Sequence, residues 1–158
     1  MLKWLWLSFF ALILDQASKL TVASTMRLYE SIRITPFFNL TYVHNPGAAF
    51  SFLSEAGGWQ RWLFAALAFL ISIVIAAWLA RLKKHETLLA VSLALVLGGA
   101  IGNLIDRLAY GYVIDFLDVY YRDWHWPAFN IADSAITVGV ALMLLESFGL
   151  GKSKTAEE

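Results

Sequence analysis

The chain contains no cysteine, which excludes disulfides, thiolate metal sites and thiol nucleophiles. It carries little charge. Only 15% of its residues are Asp, Glu, Lys or Arg, against roughly a quarter in soluble domains. Twelve basic and twelve acidic residues cancel, so no electrostatic footprint for nucleic acid exists. The histidines His44, His85 and His125 fall in different connecting segments, with no carboxylates at the spacing a metal site wants. Asp115, Asp118 and Asp123 lack the glycine and closing glutamate of a calcium loop. Neither a metal nor any other cofactor is therefore expected. No repeat, low-complexity tract or soluble-domain linker interrupts the chain.

What is present is apolar. Hydrophobic residues make up 59% of only 158, more than a chain of this size can hide in one aqueous core. Lipid is the solvent that accommodates the excess. About twenty apolar residues cross a bilayer, and four stretches approach that length: 4–23, 62–79, 88–105 and 129–148. The expected fold is a single all-α, multi-pass membrane domain over residues 1–158, with four transmembrane helices and a small β-containing lobe outside. Spans two and three flank the short polar run Arg81 to Glu86, so they should form an antiparallel hairpin. Lys3 before an apolar run also resembles a secretory signal peptide. That run ends in Asp15-Gln16-Ala17-Ser18-Lys19 rather than in a small-residue cleavage site, so a retained helix is expected. The tail 151–158 reads as disordered.

Lys3, Arg81, Lys83, Lys84, Lys152 and Lys154 collect on one set of ends. Arg27, Arg33, Arg61, Arg107 and Arg122 are spread over longer segments on the other. By the positive-inside rule both termini are cytoplasmic. The outer segments are then 24–60 and 108–128. In the first, Ser31–Pro36 and Phe37–His44 are rich in β-branched and aromatic residues and predict a two-stranded element. In the second, Tyr120, Tyr121, Trp124 and Trp126 suit the headgroup layer.

A charge within the bilayer costs roughly 2.5–3.5 kcal/mol on insertion scales. Here such residues converge at the outer ends of the spans. Asp15 and Lys19 lie near the end of span one. Asn103, Asp106 and Arg107 lie at the end of span three. Asn130 and Asp133 lie at the start of span four, and Asp115 lies in the outer loop between. Asp15 and Lys19, four apart, share a helix face and can neutralise each other, a structural role; removing Asp15 should leave Lys19 unpaired. Arg107 at a last turn complements the helix dipole. Ala94, Gly98 and Gly102 form a small-residue stripe suited to helix packing. Asp115 and Asp133 have no basic neighbour in sequence. Two carboxylates held close share a proton and can activate a water and protonate a leaving amine. On pattern alone, transport or a structural role stays open for such a pair.

At these residues the sequence resembles the bacterial lipoprotein signal peptidases (signal peptidase II). The matching stretches are Asp15–Lys19, Asn45–Ser51, Gly102–Arg107, Val113–Phe116 and Phe129–Ser134. Ile114, where the family often has valine, is a conservative departure. Each stretch is weak alone, but five in order are specific. The resemblance implies four helices with a small sheet-containing lobe at the outer face of the bacterial inner membrane. It implies an aspartic endopeptidase that removes the signal peptide of a prolipoprotein just before a diacylglyceryl-modified cysteine. Asp115 and Asp133 match its catalytic aspartates, and Asn45, Asn103, Arg107 and Asn130 match residues supporting its site. Asp15 and Lys19 match a structural or substrate-supporting motif. Gly47, Ala48 and Ala49 would lie against an extended substrate backbone. The implied partners are the lipid-modified substrate and membrane lipid, with no oligomer required. A transporter would favour polar residues near the midplane, reachable from both sides. Presenilin-like proteases set their aspartates in Tyr-Asp and Gly-x-Gly-Asp contexts, which are absent around Asp115 and Asp133.

Overall fold

The computed structural model describes residues 1–47 and 58–149. Ala48 and Ala49, the rest of the Asn45–Ser51 stretch beyond Gly47, and the tail 151–158 lie outside the described residues. A single 3-10 turn, Leu2–Trp4, leads into helix α1, Leu5–Thr25. Strands β1, Ser31–Thr35, and β2, Phe38–Asn45, follow. Helices α2, Trp59–Arg81, and α3, Thr87–Ala109, come next. Strands β3, Val113–Tyr121, and β4, Trp124–His125, precede helix α4, Ile131–Ser147. The fold is mostly helical with one small antiparallel sheet in the order β1-β2-β3-β4.

Among the described residues, three helices are long and apolar enough to cross a membrane: Leu2–Thr25 with its leading turn, Trp59–Arg81 and Thr87–Ala109. Their burial differs sharply. The most apolar window of α3 is 67% buried, whereas those of α1 and α2 are 28% and 22% buried. Helix α3 is thus the central post, packed by α1, α2 and α4, and the other two present apolar flanks outward.

Water does not drive helices together in lipid, so close backbone approach must. The small-residue stripe supplies it. A Cβ on Gly98 would sit 2.6 Å from the Ser8 carbonyl oxygen, and one on Gly102 would sit 2.5 Å from Oδ2 of Asp15. On the other side of α3, Gly99 lies against the Ala132 carbonyl of α4. The Ser8 hydroxyl donates to the Ala94 carbonyl at 2.7 Å, a bond worth about 0.6 kcal/mol in such a setting. Near the opposite end, Ile75 and Leu79 of α2 pack on Leu89, Leu93 and Leu97 of α3.

The sheet is more extensive than the sequence suggests. The segment 108–128 is not merely a loop, because nine of its residues form β3 and pair with β2. The first four, Val113 to Phe116, are buried on both faces, so this part of the strand reads as an apolar run broken only by Asp115. The register between β2 and β3 shifts once. Leu40 pairs with Leu117, but further along Val43 pairs with Asp115 and Asn45 with Val113. One extra residue on β2 absorbs the shift, and a one-residue slip exchanges the faces of a strand. Without it, Asn45 would point away from Asp115. Beyond β3, Phe129 exchanges backbone hydrogen bonds with Leu117 at 2.8 and 3.1 Å, which brings the start of α4 beside the strand. The aromatics divide: Tyr121, Trp124 and Trp126 are exposed, whereas Tyr120 turns inward and its hydroxyl donates to the Thr35 carbonyl at 3.1 Å.

Candidate active site

Asp115 comes from β3 and Asp133 from the first turn of α4. Three asparagines join them. Asn45 Nδ2 donates to Asp115 Oδ2 at 2.9 Å, and Asn130 Nδ2 donates to Asp115 Oδ1 at 2.6 Å. Asn103 Nδ2 donates to Asp133 Oδ1 at 2.7 Å. Asn130 Nδ2 also reaches Asn103 Oδ1 at 3.2 Å. Asn130 is the N-cap of α4, and its side-chain carbonyl accepts the Asp133 N–H at 2.9 Å. In return Asp133 Oδ2 accepts the Asn130 N–H at 3.3 Å, completing a reciprocal capping box. Each carboxyl group is thus held by neutral amides. Among the described residues, the recorded hydrogen bonds to either come from no Lys or Arg side chain.

Burial and the nearby charge of Asp133 push the Asp115 carboxyl up to about 7 from its ordinary 3.8. Asn45 and Asn130 oppose that rise by bonding the anion. A carboxyl group poised near neutrality beside a second one is the arrangement that general acid–base work requires.

Behind the asparagines lies a charged layer. Lys19 Nζ contacts Asp15 Oδ2 at 2.8 Å and Asp106 Oδ2 at 2.8 Å, and donates to Asn103 Oδ1 at 3.0 Å. Gln16 Nε2 reaches both Asp15 Oδ2, at 3.1 Å, and Asp106 Oδ1, at 2.9 Å. Asp15, Lys19 and Asp106 are essentially inaccessible to solvent. Lys19 therefore has two carboxylate partners, and loss of Asp15 would not leave it unpaired. Asp106 and Gln16 join this layer, although sequence reasoning did not select them. Both stand in stretches it had singled out, but the contacts that join α1 to α3 span most of the chain.

Arg107 occupies the last turn of α3, where its Nη1 donates to the Asn103 carbonyl at 3.2 Å. The carbonyls beyond are capped instead by Arg61 of α2, whose Nε and Nη2 donate to the carbonyls of Arg107 and Leu108 at 2.7 and 2.8 Å. The Arg107 guanidinium lies over the Phe64 ring at 5.6 Å and within electrostatic reach of both aspartates. Its buried Nε makes no hydrogen bond among the described residues. Gly47 follows the site at the end of β2, with φ +109° and its N–H donating to Asn45 Oδ1 at 2.9 Å. A groove of about 480 Å³ opens beside Asp133 and is lined by Trp126, Phe129, Ser134, Thr137 and Val138. Among the described residues, no three His, Asp or Glu side chains group as a metal site would need.

The model of the Signal peptidase (SPase) II family matches residues 7–149. The chain belongs to the signal peptidase II family. The match spans every element of the site, and membership makes the protein a protease. It is 58% identical over 99% of its length to a lipoprotein signal peptidase of Alteromonas mediterranea, covering 86% of that protein. It is 53% identical over 97% of its length to one from Acinetobacter baumannii, covering 87% of that protein. Its fold matches a bacterial membrane enzyme solved in meso at 2.3 Å, with TM-score 0.85 and 31% identity, over 99% of this chain and 93% of that one. A second such enzyme, at 1.9 Å, matches with TM-score 0.80 and 32% identity over 92% of both chains. With three apolar helices and membrane enzymes as structural neighbours, this signal peptidase II family member is a membrane protein.

Proposed function

We propose that the chain is a membrane aspartyl endopeptidase that removes the signal peptide from diacylglyceryl-modified prolipoproteins, with Asp115 and Asp133 as its dyad. The observation that carries this reading is the shared amide frame. Asn45, Asn103 and Asn130 orient two carboxyl groups without neutralising them. A carboxylate held by a lysine or arginine would be locked as an anion, and a carboxylate pair used for structure would be expected to have such a partner. The framed pair carries one proton between its members. The ionised member takes a proton from water as the water oxygen attacks the scissile carbonyl. The protonated member supplies the proton that the leaving amine needs. Because the two titrate together, the proton belongs to the pair.

The remaining residues fit a substrate that arrives from lipid. The groove beside Asp133 is apolar with two hydroxyls, suited to an acyl-bearing residue approaching between helices. Helix α4 serves as the fourth span. Its 17 residues reach about 25 Å at 1.5 Å per residue, and the exposed Phe148 beyond it extends the apolar surface. Both termini lie in the cytoplasm of a bacterial inner membrane, and the dyad lies near the outer face. The test is cleavage of a diacylglyceryl-modified prolipoprotein by wild type, Asp115→Asn and Asp133→Asn. Turnover by wild type alone is expected. Robust turnover by either variant would remove the aspartyl mechanism.

A further inference from the structure

The charged layer behind the dyad has a two-armed geometry. Asp106 Oδ2 accepts the backbone N–H of Ile114 at 3.1 Å, and Ile114 immediately precedes Asp115. Asp15 Oδ1 accepts the backbone N–H of Ala132 at 2.9 Å, and Ala132 immediately precedes Asp133. The two carboxylates hold the same ammonium group, that of Lys19, each at 2.8 Å. One buried cation therefore joins two anions, and each anion pins the backbone one residue before one member of the dyad. Lys19 braces the frame a third time by donating to Asn103, which in turn holds Asp133.

We infer that Asp15, Lys19 and Asp106 form a positioning clamp that fixes the separation of Asp115 from Asp133. This rests on the aspartyl reading above. The two catalytic groups come from a strand and a helix that have no covalent reason to keep a fixed distance. A pair that must share one proton and one water tolerates little drift, since a misplacement of about 1 Å can cost 100-fold in rate. Hydrophobic packing cannot set that distance in lipid as it would in water. A buried three-charge unit can, because each contact is short, charged and directional. All three side chains are at or below 1% exposure, so solvent does not weaken them by screening.

The two arms differ in one atom, which makes the clamp testable. Asp106 uses a single oxygen, Oδ2, for both Lys19 and Ile114. An asparagine carbonyl there can keep both contacts, and its Nδ2 can face the side-chain carbonyl of a turned Gln16. Asp15 divides its oxygens, Oδ2 to Lys19 and Oδ1 to Ala132. An asparagine there must either aim its Nδ2 at the ammonium or give up Ala132.

The experiment measures kcat and KM on diacylglyceryl-modified prolipoprotein for Asp106→Asn, Asp106→Ala, Asp15→Asn and Asp15→Ala, each normalised to folded protein by binding of uncleaved substrate. Asp106→Asn should lose clearly less kcat than Asp15→Asn. Asp106→Ala and both Asp15 variants should lose about tenfold or more in kcat with KM nearly unchanged. A residue that only stabilised the fold would lower the amount of folded enzyme and leave kcat per folded molecule intact; that result would overturn the clamp. Equal losses for Asp106→Asn and Asp15→Asn would overturn it as well. If the alanine variants do not fold, the two asparagine variants carry the comparison alone. Wild type and Asp115→Asn are run beside them. An inactive wild type or an active Asp115→Asn would instead remove the aspartyl reading itself.

Discussion

Asn130 donates its side-chain amide to Asp115 at 2.6 Å while the same side chain caps the helix whose first turn carries Asp133. One residue therefore serves the secondary structure through its oxygen and the dyad through its nitrogen. Serine at this position separates the two roles. Its hydroxyl can still accept the Asp133 N–H, since serine caps about as well as asparagine, but it has no amide to reach Asp115. Asn130→Ser should therefore melt within a few degrees of wild type and lose most of its turnover. Asn130→Ala should lose turnover and also about 1 kcal/mol of stability. Thermal unfolding in detergent beside a cleavage assay reads both. Near-wild-type turnover by the serine variant would show that the amide contact to Asp115 is dispensable.

Gly47 is held to glycine twice. Its φ of +109° lies in a region that residues with a Cβ rarely adopt, and a Cβ there would sit 2.5 Å from the Phe64 ring. Its N–H also fixes the carbonyl of Asn45, whose amide holds Asp115. Gly47→Ala should lower turnover by about tenfold or more through misplacement of Asn45, and should also lower the melting temperature. Adding Phe64→Ala removes the collision but not the backbone strain, which costs on the order of 1–3 kcal/mol. The double variant should recover only part of the activity. Full recovery would mean that the ring contact is the whole effect.

The parts of this arrangement that were legible in the sequence are the local ones. The four-residue spacing of Asp15 and Lys19 announced a pair, and the small-residue stripe on α3 announced close packing. The two-stranded element emerged as β1 and β2 from their β-branched and aromatic composition. What stayed hidden depends on register and on distant partners. Nothing in the run Leu40 to Val43 reveals the extra residue that turns Asn45 toward Asp115. Asp106 looked like a helix-end acid next to Arg107, but its partners are on α1 and β3. β3 was missed because a strand buried on both faces lacks the alternation that marks a half-exposed one. Arg107 sits in the last turn of α3 as its dipole-complementing reading requires, but Arg61 caps the carbonyls beyond it, and no local pattern assigns that task to another helix.

Asp118 stands three residues beyond Asp115 on β3 and does other work. It is 6% exposed and accepts from Asn39 Nδ2 at 2.9 Å and Thr41 Oγ1 at 3.4 Å. It also pairs with Nδ1 of His125 at 2.8 Å. It ties β2, β3 and β4 together at the far side of the lobe from the dyad frame. Asp118→Asn should lower stability by about 1 kcal/mol, the scale of a net hydrogen bond, while turnover well below the melting point stays within about twofold. A loss of turnover as large as that of Asp115→Asn would place Asp118 in the chemistry and remove the assignment of the dyad to Asp115 and Asp133.

In the proposed topology, with both ends of the chain in the cytoplasm, α4 must cross the bilayer despite its 17 residues. A phosphatase reporter fused after Phe148 should be inactive, and one inserted between Arg122 and Trp124 should be active. The opposite pattern would put the dyad on the cytoplasmic side, and a lipid-modified substrate would then have to be cut before crossing.

The raised Asp115 carboxyl has a consequence for stability whose sign follows from linkage. Its ordinary value of 3.8 applies to the unfolded chain, and in the fold it rises to about 7 through burial and the charge of Asp133. Between those values the folded protein holds a proton that the unfolded chain has released. Stability therefore falls as pH rises through that window, and the penalty is complete above the folded value. Below the unfolded value both states are protonated and the penalty is absent. Asparagine at this position cannot ionise and escapes the penalty at every pH. The melting temperature of Asp115→Asn relative to wild type should consequently be higher at about pH 8 than at about pH 4. Taking the difference between variant and wild type at each pH cancels the titrations of all other groups that the change does not touch. Any constant gain or loss from the altered hydrogen bonds to Asn45 and Asn130 also drops out, because only the slope with pH is read. A difference that does not change with pH, or that grows toward acid, would mean that ionised Asp115 is not penalised in the fold. The dyad would then lack the shared proton its chemistry requires.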